Sequence, residues 1–150
     1  MASEQQETLA VGASEPGARE SRLAALRGNC MGAAVLVIVQ VAVGIGVNLY
    51  ITVPRDKSFL AAVFGSAALA AHVIVAVALL GAAISALVRA VRLRAATAIV
   101  LTSAGLASVL AAAAAGASFV NSGSNGASLA MGLAAAVAMF CYLAAVFSQR

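Results

Sequence analysis

The chain has 150 residues, 63% hydrophobic and 9% charged, with a formal net charge of +4. A soluble domain carries roughly 45–50% apolar and about 25% charged residues, so this chain lacks the polar groups to cover a surface in water, and lipid must be its main solvent. The basic balance does not describe a nucleic-acid surface, because Lys and Arg sit at the ends of apolar runs rather than in a stripe interleaved with aromatics.

Residues 1–29 are polar and hold Glu4, Glu7, Glu15, Glu20, Pro16 and three arginines. A segment with so little to bury is expected to be a disordered tail, with a short amphipathic helix at Ser21–Arg27 leading into the first apolar run. Acids precede the arginines and no apolar run begins before Cys30, which is not the order of a cleaved signal peptide. The first span is therefore expected to be kept as an anchor.

Four apolar stretches follow: Cys30–Val53, Phe59–Val88, Ala95–Val120 and Ala127–Phe147. Each exceeds the ~20 residues that cross a bilayer at 1.5 Å rise per residue. None contains Asp, Glu, Lys or Arg before its ends. Hydrocarbon offers no water to pair with the backbone, so each span must satisfy its own amides and carbonyls as a helix. A membrane barrel is excluded, since its strands alternate apolar and polar residues and these runs are apolar on every face.

The connections are short: VPRDKS, with Pro54 closing the first helix, then RAVRLRA, then NSGSNG (Asn121–Gly126), whose composition is turn chemistry. Short connections make neighbours antiparallel. The expected fold is all-α, a polytopic up-down-up-down four-transmembrane-helix bundle. Arg19, Arg22, Arg27, Arg89, Arg92, Arg94 and Arg150 fall on one side, against Arg55 and Lys57 on the other. By the positive-inside bias this predicts a plasma-membrane protein with both termini in the cytoplasm.

Small residues recur at four-residue spacing: Gly28/Gly32, Gly81/Ser85, the ladder Ala104, Ser108, Ala112, Gly116, and Gly126, Ala130, Ala134. Such faces let helix backbones approach closely, either inside the bundle or against another membrane helix. The expected partners are the bilayer itself and a homodimer or larger membrane complex.

His72 is the only histidine and lies near the middle of the second apolar run. An ionisable residue within a membrane is a functional hypothesis by default. Three roles stand open: a hydrogen-bonded structural residue, a proton or substrate relay, and a haem ligand. The haem role requires a second axial ligand, from another copy or from Met131 or Met139. Gln40 lies 14 residues before Pro54, as His72 lies 14 after Ser58, so antiparallel spans bring the two to similar depth and within reach of a hydrogen bond. Asn48, Tyr50 and Thr52, with Asn121, Ser122, Ser124 and Asn125, gather at the end away from the termini, as interface residues or the lining of a small polar vestibule.

Cys30 and Cys141 fit no metal or redox spacing and read as small apolar fillers without a disulfide. No nucleophile–base–acid set, HExxH or phosphate loop is present in the sequence, and no metal site or resident cofactor is expected. The leading expectation is a non-enzymatic accessory or structural membrane subunit. A haem- or quinone-associated redox protein centred on His72 is the alternative, and a small oligomeric transporter or channel the third.

Taken together, NLYITVP (Asn48–Pro54), AAHVIVAVALLGA (Ala70–Ala82) and AGASFVNSGSNGASLAMGLA (Ala115–Ala134) resemble strings found in small four-span integral membrane proteins of actinobacterial type. The resemblance implies the four-span topology and no particular activity.

Overall fold

The structure, a computed structural model, describes residues 2–50, 61 and 65–149, with backbone alone for 2–16 and 121–122. The long helices among the described residues are α1 (Ala2–Tyr50), α2 (Ala67–Arg92), α3 (Ala96–Ser122) and α4 (Asn125–Phe147). Among the described residues there is no strand. Segments long and apolar enough to cross a membrane are Gly17–Tyr50, Ala67–Arg92, Ala96–Val120 and Asn125–Phe147. Each helix packs on its neighbours in sequence, and α4 closes the ring on α1. This is the all-α four-helix bundle expected of an integral membrane protein.

Two boundaries differ from the sequence reading. The backbone of α1 is helical from Ala2, where a disordered tail was expected over 1–29. Glu, Gln, Ala, Leu and Arg dominate that stretch and are strong helix formers, and a helix nucleated in the membrane propagates outward at little cost. The second span begins at Ala67 rather than Phe59: Ser66 takes extended dihedrals, and its hydroxyl accepts from the Leu69 amide at 3.4 Å. That N-cap satisfies an amide the helix cannot. The expected end of the first helix at Pro54, Thr52 and the VPRDKS connection lie outside the described residues.

The α2–α3 turn is tight. Ala95 N donates to Ala90 O at 3.3 Å and Arg94 N to Val91 O at 3.0 Å, with Arg94 in the left-handed region at φ 53°. This is a Schellman closure with arginine where glycine is usual. The α3–α4 turn is shorter than NSGSNG suggests. Gly123, at φ 63°, donates from its amide to Phe119 O at 2.7 Å, and Ser124 is the N-cap of α4.

The main core lies toward the end that carries the termini. Leu26, Cys30, Ala33, Ala34 and Val37 of α1 meet Leu79, Ala83, Ala86 and Ala90 of α2, Ala98 and Val109 of α3, and Ala138, Tyr142, Ala145 and Val146 of α4. Alanine faces allow close backbone approach, and dispersion then drives association in lipid. Tyr142 is fully buried, and its ring lies on Gly105, where an added Cβ would meet Cζ at 2.8 Å. Thr102 turns its buried hydroxyl back to donate to Ala98 O at 2.7 Å, the usual way such a group is satisfied inside a helix. Cys30 and Cys141 are buried free thiols. At the opposite end Val47 and Leu69 form a second small core with Val43, Ala70 and Val73 around them.

The small-residue faces divide. Gly116 packs against α4, with an added Cβ at 3.4 Å from Met131 Sδ, and Ala112 and Ser85 are half-buried. Gly28, Gly32 and Gly81 are exposed, with nothing within 4 Å of an added Cβ. They do not pack the bundle. α1 is rotated so that Leu26, Cys30, Ala33, Ala34 and Val37 face inward, which leaves the glycine pair on the outer surface.

Candidate functional site

Gln40 and His72 meet across the α1–α2 contact, with Gln40 Nε2 donating to His72 Nε2 at 3.0 Å. The hydrogen bond read from matched depth is present. Along α2 the pair lies off-centre. His72 is the sixth residue of α2, about 9 Å along the helix from Ser66 at 1.5 Å per residue. The pair therefore sits in the half away from the termini, next to the small core of Val47 and Leu69.

The imidazole is seated by Gly44, one turn beyond Gln40 on α1. A Cβ there would stand 3.0 Å from His72 Cε1 and 3.6 Å from Nδ1. With Nε2 accepting, the ring is neutral and carries its proton on Nδ1. Turning the amide over lets Nε2–H donate to Oε1 instead, and the choice between the two is set by the surroundings. In the arrangement described, Gln40 Oε1 and His72 Nδ1 are both buried without a hydrogen-bond partner. They present one acceptor and one donor in apolar surroundings, where an unsatisfied polar group is costly.

Asn48 is not brought to this pair. It lies two turns further along α1 and is exposed, as is Tyr50. At the same end an open groove of about 460 Å³ runs along α4, lined by Asn125, Ser128, Leu129, Gly132 and Leu133. Thr52 and the side chains of Asn121 and Ser122 lie outside what is described.

A second polar rung joins the same two helices. Asn29 Nδ2 donates to Ala82 O at 2.9 Å. Immediately before the residue that supplies this carbonyl lies Gly81, near the level of the exposed pair Gly28 and Gly32 that flanks Asn29. Arg27 donates from a terminal guanidinium nitrogen to Gln149 O and ties α1 to the end of α4. Neither Asn29 nor Arg27 was singled out from sequence as a contact. The signal available was their position beside the first glycine of the GxxxG pair, at the edge of an apolar run that holds no charged residue.

Among the described residues no group of three His, Cys, Asp or Glu is placed to hold a metal ion. No protein-family model, no curated protein and no solved structure matches this chain. What can be said of its function rests on its own geometry.

Proposed function

We propose that this protein is a non-enzymatic accessory subunit of the cell membrane, with both termini in the cytoplasm, that packs beside a larger membrane partner through the outer face of α1 and α2. One observation carries this reading: Gly28, Gly32 and Gly81 are exposed on the outside of α1 and α2, with nothing within 4 Å of a Cβ added at any of them. The Asn29–Ala82 bond holds the two helices at that level. A glycine surface facing lipid alone gains nothing from being glycine, whereas against another helix it permits close contact. Orientation is supported by Arg27, Arg89, Arg92 and Arg94, which all lie at the end carrying the termini.

The test replaces the surface while leaving the bundle intact. Gly28→Leu/Gly32→Leu is expected to keep the folded monomer and to shrink the native assembly extracted from membranes to the size of this chain alone. An assembly unchanged in size and composition overturns the reading. An assembly containing only this chain identifies the partner as a second copy.

A second reading is favoured by the two unpartnered atoms at the polar pair. A quinone headgroup offers a carbonyl to His72 Nδ1–H, and a quinol offers a hydroxyl to Gln40 Oε1. Haem fits less well, because Nε2 is taken by Gln40 and one side of the ring is closed by Gly44. Organic extraction of the purified protein and its absorption spectrum, wild type beside His72→Ala, decide this reading. A quinone lost in the variant supports it, and an extract free of quinone removes it.

A further inference from the structure

The two rungs between α1 and α2 fix the register of that helix pair. Asn29 is level with Ala82 and Gln40 with His72, so each residue of α1 lies level with the residue of α2 whose number makes a sum near 111. The same rule puts Arg22 level with Arg89 and Arg19 with Arg92. Arg94 follows in the turn directly after α2. All five are exposed. The apolar length of α2 from Ala67 to Val88 is about 33 Å, close to the ~30 Å of a hydrocarbon core. The arginines therefore begin where the headgroups begin.

Among the described side chains this concentration of like charge is poorly compensated. Glu20 is the one acidic side chain among the described residues. The negative end of the α2 dipole faces Arg89 and Arg92, and is equivalent to roughly half a charge. Arg94 adds a local argument. It occupies the left-handed position of the Schellman turn at φ 53°, where a side chain is strained and glycine is not. The turn geometry asks for glycine, and the residue present supplies charge.

We infer that the α1–α2 seam at the terminus end binds the phosphodiester headgroup of an anionic phospholipid, with Arg22, Arg89, Arg92 and Arg94 as its cationic partners. Charge complementarity selects the occupant. The guanidinium fork matches phosphate oxygens in a way a lysine ammonium does not, and every cation on this seam is arginine. The acyl chains would lie along the exposed apolar faces below, beside Ile84 and Val88. The inference is independent of the glycine surface and of the polar pair.

The test measures lipid retained by the full-length protein from mixed phosphatidylglycerol–phosphatidylcholine nanodiscs, by native mass spectrometry, with thermal unfolding in parallel. Wild type is expected to retain phosphatidylglycerol over phosphatidylcholine, and each arginine removed is expected to lower that retention about fivefold. Arg94→Gly is the decisive variant, because it relaxes the turn and so keeps the fold while removing one charge. Arg22→Gln/Arg89→Gln extends the series. Equal retention of the two lipids by wild type, or unchanged retention by Arg94→Gly, overturns the inference. So does inorganic phosphate in lipid-free detergent if it stabilises the protein as much as phosphatidylglycerol does, since the ligand is then a soluble anion.

Discussion

The two halves of the bundle solve the same packing problem differently. Toward the termini, alanine faces from all four helices close on one another around a fully buried tyrosine. Toward the opposite end, the buried apolar side chains among the described residues are Val47 and Leu69, and a hydrogen-bonded Gln–His pair joins α1 to α2 beside them. The dense half is specified by shape and the loose half by polar pairing. A cavity should therefore cost most in the first, and a lost partner should be the main cost in the second.

Four experiments sharpen that contrast. Tyr142→Ala is expected to have the largest effect, about 3–5 kcal/mol, because it empties a site that the alanine faces cannot collapse to fill. A drop in unfolding midpoint in detergent reads it. Gly105→Ala comes next, at about 1–3 kcal/mol, since the new methyl lands 2.8 Å from Tyr142 Cζ. A variant as stable as wild type would show that the ring has room to move, and would weaken the picture of a tight half.

In the loose half, a double-mutant cycle on Gln40→Leu and His72→Leu is expected to give a coupling of about 0.6–2 kcal/mol. Zero coupling would mean that the pair contributes contact without a bond. Smallest is Gly44→Ala. Its methyl meets His72 Cε1 at 3.0 Å, but the ring can shift, and alanine gains about 1 kcal/mol of helix propensity over glycine. The net change is expected to stay within about 1 kcal/mol. If Gly44→Ala destabilises as much as Gly105→Ala, the two halves are equally rigid and the contrast fails.

Span number, chain order and the level of Gln40 against His72 were legible because they follow from apolar run length and antiparallel register. The third and fourth spans were placed within two residues of α3 and α4 at either end, since their breaks carry Arg or Gly/Ser/Asn chemistry. The second span was overextended because the apolar sequence from Phe59 continues past Gly65 and Ser66. Only the cap geometry of Ser66 marks where the helix starts. Helix rotation was not legible. Small and apolar residues surround every helix, so sequence offers no polar face to point outward. The spacing that singled out Gly28, Gly32 and Gly81 was therefore silent on whether they face the bundle or lipid, and Gly105 was missed because its partner, Tyr142, is 37 positions away.

The two α1–α2 rungs also set what can move. They stand about 16 Å apart along α1, eleven residues at 1.5 Å each. A single rung between two helices leaves a pivot, whereas two separated rungs remove pivoting and sliding together. Shifting either helix by one 5.4 Å turn would break both bonds at once. The α1–α2 pair is thereby held in one register at two levels.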